Sequence, residues 1–279
     1  MAYKTIMTVW DGAGGGSEML NLALDLTRRE DAHLDVLCLG IDRTQPGYYY
    51  SATTPVMLEQ GVARAQADAA ELEAEVNAQL KGEEVAHSVI TSIAQWSGIG
   101  QTIAWAARFA DLVVLPRPYG EQSAQERAAV LESVLFDAHV PALVVPPGIE
   151  KLETGRVAIA WDESAESLNA VRAALPILVA NKSKVEILMV DPKLTDESQA
   201  DPGARLSIML ARHGLDVTVT LVPKTMSRVS DHIRTFARDK EAGLIVMGAY
   251  GHSRFREAIL GGATRDMLEE AQVPVLMAH

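Results

Sequence analysis

The chain has 279 residues, enough for one large domain or two of ordinary size, and its 48% hydrophobic and 22% charged residues are those of an ordinary globular protein. A formal net charge of -12 argues against a nucleic-acid partner, because phosphate backbones are bound by clustered Lys and Arg. No run approaches 18 consecutive apolar residues, which argues against a membrane span, and the opening MAYKTIMTVWDG lacks a signal-peptide pattern, so a cytoplasmic location is expected.

The first element is the apolar run Lys4-Thr-Ile-Met-Thr-Val-Trp-Asp11, which predicts a strand. The turn after it, Asp11-Gly-Ala-Gly-Gly-Gly-Ser17, lacks Gly-Lys-Ser/Thr, and Ser17 stands where a dinucleotide fingerprint needs its last glycine. It reads as a flexible strand-to-helix connection capped by Ser17. The next apolar run, Leu34 to Leu39, holds Cys38, the single cysteine, which predicts a buried core thiol rather than a disulfide or a reactive group. A Pro/Gly/Tyr-rich loop with the triplet Tyr48 to Tyr50 then leads into an Ala/Glu-rich helix over roughly 55–80. Ile99, Ile103, Ala106 and Ala107 follow the i, i+4, i+7, i+8 rhythm of a helix with one buried face. Asp111-Leu-Val-Val-Leu115 and Val140-Pro-Ala-Leu-Val-Val145 read as buried strands, and Pro146-Pro147-Gly148 is a natural linker.

The second half repeats this order. Gly155-Arg-Val-Ala-Ile-Ala-Trp-Asp162 matches the first run at an offset of 151, and Val229, Ile233, Phe236 and Ala237 match the helical set at an offset of 130. Gly243-Leu-Ile-Val-Met247 and Val273-Pro-Val-Leu-Met277 complete the series. The first copy therefore carries about 21 extra residues, which fall around 42–80. Strands are expected over 156–161, 184–190, 216–222, 243–248 and 273–278, and helices over 163–180, 203–213, 226–241 and 261–271. Strands alternating with helices predict an α/β fold: two tandem three-layer α/β/α domains, 1–148 and 149–279, each with a five-stranded mainly parallel sheet. Ligands of such sheets sit beyond the carboxyl ends of the strands, where the strand order reverses.

One loop meets that requirement best: Gly248-Ala-Tyr-Gly251-His-Ser-Arg-Phe-Arg-Glu-Ala-Ile-Leu-Gly261-Gly262-Ala-Thr264, between the fourth strand and fourth helix of the second copy. Its first glycines let backbone approach a ligand, and Gly261 and Gly262 open a helix whose free N–H groups favour an anion. Arg254 and Arg256 could neutralise phosphate charge, or could simply be solvated. Here the chain resembles the universal stress protein family, whose signature is G-x2-G-x9-G followed by Ser or Thr. Gly248, Gly251 and Gly261 match that spacing, and the resemblance covers nearly the whole chain as a tandem pair.

The resemblance implies an adenine nucleotide alpha hydrolase-like fold and ATP, with or without Mg, bound in the C-terminal domain. Its phosphates would lie on Gly248, Gly251 and Gly261, its adenosine against Asp162, and its base against backbone at Val190. Gly262 stands where the family has Ser or Thr; it keeps the N–H but loses a hydroxyl bond worth roughly 0.5–1.5 kcal/mol, unless Thr264 substitutes. The resemblance further implies a stress-response sensor or regulator whose fifth strands pair as an intramolecular pseudo-dimer. A homodimer and an unknown signalling partner stay open. So do two alternatives to the sensor: an interaction scaffold without nucleotide, and a slow ATPase.

The first copy departs from the pattern. Pro116 aligns with Gly248, and Ala128 and Ala129 stand where the second copy has its glycine pair. Proline donates no N–H, so a degenerate site is expected there, with Asp11 matching Asp162 in position. The seven histidines are scattered, no two at i, i+4, and no metal site is expected.

Overall fold

Short β-branched and apolar runs alternate with amphipathic stretches along the whole chain, and the elements they form alternate in the same way. The structure, a computed structural model, describes residues 3–12, 16–44, 55–120, 126–192, 201–251 and 262–279. Contacts divide the chain into two compact units: Lys4–Val140, and Pro141–His279 together with Tyr3.

In the first unit the order is β1 (Thr5–Trp10), α1 (Gly16–Glu30), β2 (His33–Asp42), α2 (Pro55–Gln79), β3 (His87–Gln95), α3 (Ile99–Ala107), β4 (Leu112–Pro116) and α4 (Glu126–Glu132). The last helix continues into a π-helical turn, Ser133–Asp137. The strands are parallel in the order β3-β2-β1-β4. Ile6, Leu34, Val36, Leu112, Val113 and Val114 are fully buried and form the centre of this core. The long helix α2 accounts for the extra length of the first copy and packs over β2 and β3. It also meets β1, where the Trp10 indole N–H donates to Glu75 at 3.2 Å. Cys38 lies fully buried on β2, and burial pushes its thiol up to about 12, so it stays protonated and unreactive at neutral pH.

The second unit contains β5 (Ala142–Val145), β6 (Arg156–Ala160), α5 (Ala165–Ala180), β7 (Lys184–Val190), α6 (Ala204–Arg212), β8 (Asp216–Val222), α7 (Val229–Asp239), β9 (Leu244–Gly248), α8 (Gly262–Glu270) and β10 (Val275–Ala278). Its strand order is β5-β10-β9-β6-β7-β8. All are parallel except β5, which runs antiparallel to β10 with Leu143 opposite Leu276, the pairing of fifth strands expected above. α5 packs on β9, β10 and β6, whereas α7 packs on β6 and β7.

The internal repeat extends to hydrogen-bond register. Thr5 lies opposite His33 as Arg156 lies opposite Lys184. Ile6 meets Leu112 as Val157 meets Leu244, and Leu34 meets His87 as Val185 meets Val217. A slip of one residue would turn every side chain to the other face, so equal register means the same faces are buried in both copies. Positions matched by sequence therefore sit at equivalent places at the ends of their strands.

Candidate functional site

In the second unit, β6 has β9 on one side and β7 on the other. The chain passes from β6 to β7 and β8 in one direction, then returns to β9 and β10 in the other, so the strand order reverses between β6 and β9. That crevice is where an open α/β sheet takes its ligand. Asp162 follows β6, Val190 ends β7 and Gly248 ends β9, all at the carboxyl edge of adjacent strands.

The β6 turn is shaped by its own side chains. Asp162 Oδ1 accepts from the Ser164 backbone N–H at 3.1 Å and from the Ser164 hydroxyl at 2.6 Å. Ser164 Oγ in turn accepts from the Ser167 N–H at 3.1 Å, so Ser164 is the N-cap of α5. This leaves Asp162 solvent-exposed, with Oδ2 carrying no hydrogen bond among the described residues. Glu163 adopts a left-handed φ of 65°, which turns the chain into the helix.

The β9 loop lies directly over that helix start. A methyl group built on Gly248 would sit 2.6 Å from the Ser167 backbone nitrogen and 2.9 Å from the Glu166 carbonyl carbon. Only glycine lets β9 end so close to the first turn of α5. One built on Gly251 would lie 3.4 Å from a Glu166 carboxylate oxygen and 3.9 Å from Ser164 Cβ. Between them, Tyr250 is buried with a left-handed φ of 62°. The loop is pinned at three points. Ala249 N–H donates to the Ala278 carbonyl at 2.9 Å, the Ala249 carbonyl lies 3.0 Å from His279 Nδ1, and Tyr250 N–H donates to Thr264 Oγ1 at 3.3 Å. A non-glycine residue held at positive φ by this many contacts marks a segment, 248–251, whose backbone is set by the protein's own contacts.

The sequence-predicted residues thus fall into two groups. Asp162, Gly248 and Gly251 are brought together through Ser164 and Glu166. Val190 stands one strand over, half-buried and opposite Val222 of β8. Thr264 is buried, and its hydroxyl oxygen accepts from the loop backbone. Gly262 is exposed at the first position of α8, with nothing near the place of its missing side chain. Gly261, Arg254, Arg256 and His252 lie outside the described residues, as do the tyrosine triplet and Ala13 to Gly15. Two participants were not singled out as site residues by sequence: Glu166, which lines the loop, and His279, which braces it. The spacing Ser164-x-x-Ser167 is a visible capping signal, but nothing local announces that Glu166 meets a loop more than eighty residues later.

At the equivalent place in the first unit the strand-end carboxylate is paired internally. Arg127, buried in the first turn of α4, forms a two-point ion pair with Asp11, with Nε at 2.6 Å and Nη2 at 3.0 Å from the carboxylate oxygens. Beside it, Arg43 pairs with the buried Glu126. Beside these pairs Val9, Leu39, Ile41, Leu115, Pro116 and Val130 line a cavity of about 20 Å³. That is room for about one water molecule and not for a purine.

No helix among the described residues is long and apolar enough to cross a membrane. Among the same residues, no group of three or more His, Cys, Asp or Glu side chains is placed to hold a metal ion.

Comparison with known proteins fits this geometry. The chain is 25% identical to the universal stress protein Slr1230 of Synechocystis over 153 residues, which span 53% of this chain and 50% of that protein. In three dimensions it resembles a universal stress protein from Archaeoglobus fulgidus, with a TM-score of 0.72, 17% identity, and coverage of 98% of this chain and 97% of that one. A functionally unknown protein of Pseudomonas aeruginosa PAO1 gives a TM-score of 0.62 at 14% identity, covering 99% of this chain and 92% of that chain. The family model described as universal stress protein family matches residues 153–279. That stretch runs from just before β6 to the last residue and contains Asp162, Glu166, Gly248 and Gly251, so it is the C-terminal half of this chain that matches the universal stress protein family.

Proposed function

We propose that residues 149–279 bind an adenine nucleotide, ATP foremost, and act as a sensor or regulator in a stress response, while residues 1–148 form a degenerate partner domain. The observation that supports this reading is the meeting of Asp162 with the Gly248–Gly251 loop at the strand-order reversal. A carboxylate with one oxygen spent on its own turn and the other open suits a pair of sugar hydroxyls. The glycine backbone at Gly248 and Gly251, beside a helix start, suits phosphate oxygens through backbone N–H groups. Val190, at the end of the next strand, is within the same row of strand ends and suits the edge of the base.

The Ser or Thr hydroxyl expected after the third glycine is absent, and Thr264 is engaged with Tyr250. Phosphate recognition then falls to backbone donors, so affinity is lower by about one hydrogen bond, roughly tenfold at most. Calorimetric titration of Mg-ATP into the intact chain tests the reading. Saturable binding is expected, lost in Gly251→Val, whose side chain would enter the space shared with Glu166. No heat from the wild-type chain at millimolar Mg-ATP would remove the reading.

A further inference from the structure

The third strand of each copy lies at a sheet edge: among the described residues β3 pairs only with β2, and β8 only with β7. An open edge is a row of unpaired N–H and C=O groups, which proteins commonly guard with charges, proline or short length. β8 is guarded in this way. It begins with Asp216, and Pro223 and Lys224 follow its last residue. β3 is not. Its nine residues, His-Ser-Val-Ile-Thr-Ser-Ile-Ala-Gln, include no Asp, Glu, Lys, Arg, Pro or Gly, and they run beside β2 without a bulge from His87 to Gln95. Side chains on both of its faces reach solvent, Ile90 at 47% and Ile93 at 38% exposure. The strand also lies within Val85 to Ala107, the longest stretch of the chain free of Asp, Glu, Lys and Arg.

We propose that β3 is a self-association edge, which pairs antiparallel with β3 of a second copy of this chain across a two-fold axis through Thr91. The Leu34 N–H donates to the Ala86 carbonyl at 2.9 Å, so Ala86 and every second residue after it turn their backbone groups toward β2. The backbone groups of His87, Val89, Thr91, Ile93 and Gln95 therefore point away from the sheet. An axis through Thr91 sets Thr91 opposite its own copy, Val89 opposite Ile93 and His87 opposite Gln95, each as a hydrogen-bonded pair. Every outward donor and acceptor of the strand is then used in one register, giving about ten hydrogen bonds, as many as a typical interface carries. Val89, Thr91 and Ile93 share one face with their copies, and cross-strand pairs of β-branched residues stabilise a sheet. On the other face Ser88 meets Ala94, Ile90 meets Ser92, and the exposed Trp96 reaches Ala86. No like charges meet along this edge, whereas a net charge of -12 makes two copies repel each other in general. A contact about 30 Å long is at the small end of stable interfaces, so a dissociation constant on the order of micromolar is expected. This pairing does not depend on nucleotide binding.

Sedimentation equilibrium of the intact chain from about 0.1 to about 100 μM brackets that affinity and should show a monomer–dimer equilibrium. Thr91→Lys sets like charges directly opposite each other at the axis and should weaken association about tenfold or more, and Thr91→Glu should do the same. Mixing the two variants should restore a dimer, which strands that had lost their fold could not form. Leu221→Lys, on the exposed edge of β8, should leave the equilibrium as it is in the wild type. A wild-type chain that is still monomeric at about 100 μM overturns the pairing. So does a dimer that survives Thr91→Lys, a mixture of the two Thr91 variants that does not associate, or a dimer that Leu221→Lys dissociates.

Discussion

At the scale of single residues, Gly248 shows how one position can answer two requirements. Its place in the G-x2-G-x9-G spacing suggests a ligand, yet the immediate reason for glycine is packing, since any side chain would run into the backbone of Glu166 and Ser167. Backbone atoms at 2.6 Å cannot swing aside as a side-chain tip can. Gly248→Ala should therefore cost roughly 1–3 kcal/mol of stability with no nucleotide present, as overpacking does elsewhere. Chemical denaturation of the ligand-free chain checks this, and an unchanged midpoint would mean that β9 and α5 separate more easily than their contact suggests. The glycine pattern was legible in the sequence, but its double duty was not. A site where a phosphate comes close and a site where a helix comes close both ask for a missing Cβ.

At the scale of elements, the ends of strands and helices decide what each copy can do. In the second copy the β6 end carries Asp162 and a serine cap, and α8 opens with a bare glycine. In the first, the equivalent strand end carries Asp11, and α4 opens with Glu126 and Arg127, which close on Arg43 and Asp11. Arg127 is 7% exposed, so removing it takes both guanidinium contacts from a partly buried Asp11 carboxylate. Arg127→Ala should destabilise the first unit by roughly 3 kcal/mol, whereas replacing both partners, Asp11→Ala with Arg127→Met, should recover much of the loss. A double-mutant cycle by thermal unfolding measures this. Equal losses in the single and double variants would show that the pair contributes packing rather than electrostatics.

The elements themselves were largely readable in advance. α5 was expected over 163–180 and spans Ala165–Ala180, because Ser164 fixes its start. β7 and β8 match their expected limits because each is rich in apolar and β-branched residues, with only Lys184, Glu186 and Asp216 breaking the pattern. The Asp11–Arg127 pair was not readable, since its members lie 116 residues apart and each alone looks like a solvated charge. The expectation of a degenerate first site rested on the lost glycines and on Pro116. The structure adds an internal cation, Arg127, paired with the aspartate at that strand end.

At the scale of the whole molecule, two units share one fold and one register but carry different strand ends, so duplication need not mean two equal sites. If both copies bound nucleotide, the chain would titrate with two ligands. The first copy opposes this in three independent ways. Pro116 removes a backbone donor where the second copy has Gly248. Arg127 occupies the only described strand-end carboxylate equivalent to Asp162. The cavity beside that pair among the described residues, about 20 Å³, could widen only at the expense of buried Val9, Leu39, Leu115 and Val130. Calorimetry with Mg-ATP, or with AMP in chelator, should therefore give about one ligand per chain, and Asp162→Ala should abolish the heat. Saturating ligand at 100 times Kd adds about 2.7 kcal/mol to whichever unit holds it. Hydrogen exchange should then slow at β6, β9 and the first turn of α5 while β1, β4 and α4 stay as they were. A stoichiometry near two, or protection shared equally by both sets of strands, would show that the Asp11–Arg127 pair opens readily and that the first copy has kept its site.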